Sequence, residues 1–186
     1  RTKLLIGEKR LNNLINAHVM VVGMGGVGSF AAEFVCRAGV GEMTIIDGDT
    51  VDPTNRNRQL PALATNHGEY KVQIMAGRLT AINPELKLNV VKEFVRPEMV
   101  EHLFDRKPDY VIEAIDSFTP KITFIKAALR HKIPFVSSMG AGAKLDPTQL
   151  KVTDIWKTRN CPFAQQVRKV LRKEGILKNF KVVFSP

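Results

Sequence analysis

Apolar residues along the chain fall into short continuous blocks, separated by longer segments with helical spacing. Val19-Met20-Val21-Val22 stops at a glycine and reads as a strand buried on both faces. Blocks of similar length recur at 43–46, 88–91, 110–112 and 135–138. Between them, 29–38 and 69–82 carry helical spacing, a third helical segment starts near Pro97, and a fourth covers 120–131 with a proline at its start. Gly39 and Gly41 stop the first of these helices, and Asn83-Pro84 stops the second. Residues 47–68 are polar and predict loops. Residues 1–17 predict a leader with one helix, packed on the domain through Leu4, Leu5, Leu11, Leu14 and Ile15.

Strands that alternate with helices predict an α/β fold, a Rossmann-like doubly wound, mostly parallel sheet with helices on both faces. After Gly142 the rhythm changes. Segments 144–145 and 150–155 predict a hairpin around Asp146-Pro147, followed by an amphipathic helix over 162–173 and a last strand over 182–184. The chain thus divides into a core over 1–143, with the helical leader, and a basic extension of the same domain over 144–186. A strand that stops so near the last residue predicts that the protein continues.

Length and composition narrow the class. The 186 residues suit one domain, and 44% hydrophobic with 25% charged residues is ordinary for a globular protein. No apolar run reaches the ~18 residues of a membrane span, and the start has no secretory pattern, so a cytoplasmic enzyme is expected. Cys36 and Cys161 form no CxxC pair, which excludes a four-cysteine zinc site and a disulfide framework within these residues. Net charge is +10, and residues 150–186 carry nine Lys/Arg against Asp154 and Glu174, which is +7 of that total. Such a surface draws polyanions, although a solvated helix face accounts for it equally well.

Gly23-Met24-Gly25-Gly26-Val27-Gly28 joins the first strand to the first helix. Glycines there admit a phosphate to the backbone, and the helix N-terminus supplies N–H groups and a positive dipole. Asp47 ends the second strand nineteen residues after Gly28, where a carboxylate grips a ribose hydroxyl. This much does not choose between NAD and ATP. Arg58 and Lys71 help to choose, because a triphosphate needs its charge offset before a nucleophilic carboxylate can approach. Asp116 follows the fourth strand at the ligand-binding edge and could hold Mg²⁺ through one or two oxygens. Each has a plainer account: Asp49 capping a turn, Asn55 making an Asx turn, Lys71 a solvated helix lysine. Taken together with the glycine loop, the plainer accounts lose.

The ordered set Gly23, Gly25, Gly26, Gly28, Ser29, then Asp47 and Asp49, then Asn55, Arg58 and Gln59, then Lys71, then Asp116 resembles the ThiF/MoeB/HesA superfamily of adenylating enzymes. The resemblance implies that Asp47 binds the ATP ribose and that Asn55, Arg58 and Lys71 hold the phosphates. Asp49 and Gln59 complete the ATP site, Asp116 coordinates magnesium, and the catalytic roles fall to Arg58, Lys71 and Asp116. It also implies a homodimer with an arginine reaching into the partner's ATP site, for which Arg1 is the candidate.

Within the superfamily, Gly140 to Thr148, Val152-Thr153-Asp154, Lys157-Thr158, Val167-Arg168 and Val183-Phe184-Ser185 are similar to the TcdA (CsdL) group, the tRNA threonylcarbamoyladenosine dehydratases. That group implies ATP-dependent cyclisation of the modified nucleoside through an acyl-adenylate, with tRNA phosphates on Lys157, Arg159, Arg168, Lys169, Arg172 and Lys173. A sulfur-transfer or acceptor protein is a further candidate partner. The alternative is a ThiF/MoeB-like enzyme that adenylates a ubiquitin-like sulfur carrier, against which the missing zinc cysteines speak. An NAD(P)-dependent dehydrogenase would leave Arg58 and Lys71 without purpose and lacks a Tyr-x-x-x-Lys arrangement. A silent RNA-binding module would not need the intact acidic and basic set. Cys36 reads as a core residue. Cys161, in a loop before Pro162, could be exposed, with basic neighbours able to favour a thiolate, although those neighbours are better read as tRNA contacts. Trp156 reads as core or interface.

Overall fold

The computed structural model describes residues 1–186. Seven strands form one sheet: β1 (His18–Val22), β2 (Glu42–Ile46), β3 (Lys87–Val91), β4 (Tyr110–Glu113), β5 (Phe135–Ser138), β6 (Lys151–Asp154) and β7 (Lys181–Phe184). Their order is β3-β2-β1-β4-β5-β7-β6, and every pair is parallel except β6 with β7. The chain winds outward from β1 to β3 and then returns to place β4 on the other side of β1. That reversal opens a crevice above the C-terminal ends of β1 and β4, where doubly wound sheets bind ligands.

Strand pleating explains why both faces are buried. Val19 and Val21 of β1, with Met43 and Ile45 of β2, enter one apolar cluster. Met20, Val22 and Ile46 point the other way into a second. The first cluster is closed by Ala32 and Cys36 of α3 (Gly28–Ala38) and by Val72, Met75 and Leu79 of α4 (Lys71–Ile82). The second is closed by α5 (Pro97–Leu103), α6 (Phe118–His131) and α7 (Pro162–Lys173). On α7 the buried Ala164, Val167 and Leu171 follow helical spacing, and each is wholly excluded from water.

The structure corrects four local expectations. The leader forms two helices, α1 (Thr2–Ile6) and α2 (Glu8–Ile15), broken at Gly7. Leu14 packs on the core, but Leu4 and Leu5 are almost fully exposed and Ile15 half so. Residues 69–70 precede α4 rather than belong to it, because Tyr70 bridges to Thr50 and the Glu69 carbonyl accepts Val51 N–H. Helix α6 begins two residues before Pro120, since a first-turn residue has no intrahelical N–H bond to lose. Finally, residues 144–145 form no strand. The antiparallel pair of the extension is β6 with β7, joined through α7, and β7 also extends the parallel sheet beside β5.

Candidate active site

Above the crevice lies a cavity of about 320 Å³. Its walls include Gly23 and Gly25 from the first loop, Asp47 and Asp49 after β2, Asn55, Arg58 and Gln59 from the following loop, Lys71 at the start of α4, and Asp116 after β4. The sequence-predicted residues are thus brought together, with three exceptions. Gly26 and Gly28 support the loop without lining the cavity, and Arg1 sits exposed at the head of α1, outside the cavity of its own chain.

The glycines divide by purpose. A Cβ on Gly28 would stand 1.8 Å from the Gly23 carbonyl oxygen, and one on Gly23 would stand 2.7 Å from that of Ala114. These two are required by the chain itself. A Cβ on Gly25 would meet only the Gln59 amide at 3.8 Å, so protein packing does not demand glycine there. What a side chain at Gly25 would fill is the cavity. Helix α3 opens beside it with no side-chain cap and no acidic residue in its first turn, which leaves its N-terminal dipole to an anion.

Asp47 holds its loop in shape before any ligand arrives. Its carboxylate accepts the N–H groups of Met24 (2.6 Å) and Asp49 (2.7 Å). Burial pushes its pKa above the ordinary carboxylate range, and those two N–H groups and the Lys71 charge only partly offset the shift. Lys71 is 4% exposed and ion-paired to Asp49, which is 51% exposed. A main-chain bond from Lys71 N–H to the Asp49 carbonyl (3.1 Å) fixes the two together. Asn55 accepts Asp52 N–H through its side-chain oxygen, closing a capping box, so its amide N–H groups are what it can offer a ligand. The turn-forming account of Asn55 therefore holds alongside its place in the cavity wall. Arg58 is exposed and leans on the Thr54 carbonyl and the Asn57 side chain. The side-chain oxygen of Gln59 is buried with no protein hydrogen-bond partner, so it is free to accept from a donor in the cavity.

Asp116 is exposed, and its side chain accepts one hydrogen bond, from the Ser117 hydroxyl (3.3 Å). No three His, Cys, Asp or Glu side chains converge anywhere in the chain. Asp116 would hold a magnesium ion only jointly with phosphate and water oxygens, which is how Mg²⁺ is usually bound beside nucleotides. Glu93, Phe94, Val95, Ser117 and Pro120 also line the cavity, and no motif in the sequence marks them. Their signal is positional: the loop after every strand of such a sheet faces the crevice. Gly48 confirms the close approach, because a Cβ there would lie 2.3 Å from Phe94 N.

On the extension, Lys157, Arg159, Lys169, Arg172 and Lys173 are exposed. Arg172 stacks over Trp156 (5.2 Å), and half-buried Arg168 donates to the Thr158 hydroxyl. Cys161, whose loop position left exposure open, is 4% exposed and packed in the core at the start of α7. Pro162 at N1 turns the chain into the helix at that point, which carries the thiol inward.

Fold and cavity together define a nucleotide-binding α/β protein built for a highly charged phosphate chain. The chain belongs to the ThiF family, which it matches over residues 1–181. It is 48% identical over 185 residues to the tRNA threonylcarbamoyladenosine dehydratase of Bacillus subtilis, covering all of this chain and 73% of that one. It is also similar to the crystal structure of Escherichia coli tRNA N6-threonylcarbamoyladenosine dehydratase, TcdA, in complex with ATP. There the TM-score is 0.95 at 46% identity, over 99% of this chain and 79% of that one. The AMP complex of the same enzyme gives a TM-score of 0.94 at 45% identity, over 99% of this chain and 78% of that one. No helix is long and apolar enough to cross a membrane.

Proposed function

We propose that this protein catalyses the ATP-dependent dehydration of threonylcarbamoyladenosine in tRNA, by cyclisation through an acyl-adenylate. The observation that carries the proposal is the composition of the cavity wall: a glycine loop, Asp47, Arg58, Lys71 and Asp116, with no His, Cys or Tyr among the lining residues. Such a wall can position reactants and neutralise charge, but it offers no thiol, imidazole or phenol for covalent or hydride chemistry. Adenylation asks for nothing more.

In this reaction a carboxylate oxygen of the threonyl group attacks the α-phosphorus of ATP. The bond from that phosphorus to the bridging oxygen breaks, and pyrophosphate leaves. A neighbouring atom of the carbamoyl group then attacks the activated carbonyl, loses its proton and expels AMP. The second step is intramolecular, so no enzyme nucleophile is needed. Asp47 accepts the ribose hydroxyls, and the loop around Gly25 with the α3 N-terminus receives the phosphates. Asn55, Arg58 and Gln59 give further contacts. Lys71 exchanges its bond to Asp49 for the phosphates, which the half-exposed position of Asp49 permits. Asp116 holds magnesium, which when bound supplies charge neutralisation at the phosphates.

The exposed basic residues of 157–173 serve the tRNA phosphates, with the modified nucleoside reaching the cavity from a single-stranded loop. A homodimer completes the assembly. Val27, just before α3, and Phe30 and Phe34 on it form an exposed apolar stripe, and Leu4 and Leu5 are bare on α1, near the Arg1 proposed to act in the partner's site.

The direct test is incubation with ATP, Mg²⁺ and tRNA carrying threonylcarbamoyladenosine, followed by mass spectrometry of the nucleosides. ATP-dependent loss of one water from that nucleoside is expected. An unchanged nucleoside, with ATP bound by folded protein, would overturn the proposal in favour of adenylation of a carrier protein.

A further inference from the structure

Beneath the cavity lies a second lysine–carboxylate pair that the chemistry above does not use. Glu113, the last residue of β4, and Lys121, near the start of α6, have no exposed side-chain surface. Lys121 Nζ donates to both Glu113 oxygens (2.8 and 2.6 Å) and to the Ser138 carbonyl at the end of β5 (2.8 Å). The Ser137 hydroxyl also donates to Glu113 Oε2. Glu113 Oε1 then accepts the N–H of Ile115 at 2.7 Å, inside the turn over residues 114–117 that leaves the sheet and carries Asp116. On its far side the ammonium group faces the Phe163 ring of α7 at 5.7 Å, and that ring meets Phe118 edge-on.

Net stability does not explain the pair. Replacing a buried ion pair with apolar side chains of like volume is often neutral or stabilising, whereas deleting one partner is costly. What the pair provides here is geometry. Past Ala114, whose N–H still joins the Val22 carbonyl, the turn has left the strand ladder. Its next amide, that of Ile115, is held by the Glu113 side chain, and that side chain is in turn held by β5 and α6.

We propose that Glu113, Lys121 and Ser137 are positioning residues that fix the turn over 114–117 and so aim the Asp116 carboxylate at magnesium nucleotide. The proposal rests on the magnesium role given to Asp116 above. Its test uses the full protein carrying Lys121→Met, or Lys121→Met with Glu113→Met. Melting temperature, amide exchange across 114–117, and ATP affinity with and without Mg²⁺ are measured beside wild type and Asp116→Ala.

The single variant is expected to melt lower, because it strands a buried carboxylate. The double variant should recover the melting temperature, yet exchange faster at Ile115. It should also lose about tenfold or more of the affinity that magnesium adds, with magnesium-free ATP binding unchanged. A double variant with wild-type exchange and wild-type magnesium gain would reduce the pair to core structure and overturn the proposal. Should neither variant fold, Ser137→Ala removes one hydroxyl only, and an unchanged magnesium gain there overturns it equally. If wild type and Asp116→Ala respond alike to magnesium, the role of Asp116 fails instead, and amide exchange alone decides whether the turn is held by the pair.

Discussion

Lys71 in the cavity and the lysines of the extension are the same residue type in opposite circumstances. Lys71 is 4% exposed, bonded to Asp49 through both main chain and side chain, and set at the first position of a helix. Lys157, Arg159, Lys169 and Lys173 stand in water. The three acidic residues of the extension are engaged elsewhere, Asp146 with the N–H and hydroxyl of Thr148, Asp154 with the N–H of Trp156, and Glu174 with Lys126. A cation that must meet one phosphate in one place needs a fixed seat and a carboxylate to hold it meanwhile. A cation that gathers a polyanion needs water and no partner. Single substitutions should therefore act steeply in the cavity, and in small, salt-sensitive steps on the extension.

The largest effect is expected from Lys71→Ala. Loss of a preorganised charge at the reacting phosphates should lower turnover by at least about 10²-fold, while the tRNA dissociation constant stays near wild type. Steady-state kinetics beside a filter-binding titration measure both. A parallel collapse of tRNA binding would break the comparison, because it would show the two sets of cations acting as one surface.

Next comes the pH dependence of ATP binding. Burial raises the pKa of Asp47 above the ordinary carboxylate range. Protonation turns an acceptor oxygen into a donor, so the ribose loses its partner as pH falls through that raised value. ATP affinity should thus decline at a higher pH than an ordinary exposed carboxylate would allow, and Asp47→Asn should flatten that limb of the profile at a lower affinity throughout. Calorimetric titrations across acidic pH decide it, and an unchanged acid limb in Asp47→Asn would assign the limb to another group.

On the extension the steps are smaller. Replacing Lys169, Arg172 and Lys173 together by Gln should weaken tRNA binding and flatten the plot of log affinity against log salt by about 0.7–0.9 for each phosphate no longer neutralised. Turnover at saturating tRNA should not change. The sharper version substitutes Arg168 alone. It is half-buried on the Thr158 hydroxyl, so its loss should disturb the 156–161 segment more than the salt slope.

The parts of this molecule legible in the sequence are those governed by local rules. Helix α7 has the bounds its sequence predicts, because Pro162 can start a helix and the spacing of Ala164, Val167 and Leu171 repeats its period. The glycine loop, Asp47, Arg58, Lys71 and Asp116 are legible because their spacing along a strand–turn–helix unit fixes where they meet. What stays hidden is set by partners distant in the chain. Residues 144–145 and 150–155 look like a hairpin, yet the true partner of β6 lies beyond α7 in β7. Lys121 looks like any lysine on a helix, because its burial depends on Glu113, Ser137 and Ser138 arriving from two other strands. Phe94 carries no motif at all, and only the approach of its loop to Gly48 places it at the cavity.

The smallest effect is expected at Cys161, and its smallness is informative. As an exposed thiol among lysines and arginines, it would be a candidate to accept an acyl group from the adenylate, and the extension would then take part in the chemistry. In the fold its side chain is packed with Ile155, Ala164 and Val167 in the larger apolar cluster. Cys161→Ala removes one buried sulfur and should cost roughly 1 kcal/mol of stability while leaving turnover within about twofold of wild type. Melting curves and kinetics on the same sample check both. A large loss of turnover, with a thioester recovered from the wild-type protein, would move a chemical step out of the cavity and undo the division between a region that reacts and a region that only holds its substrate.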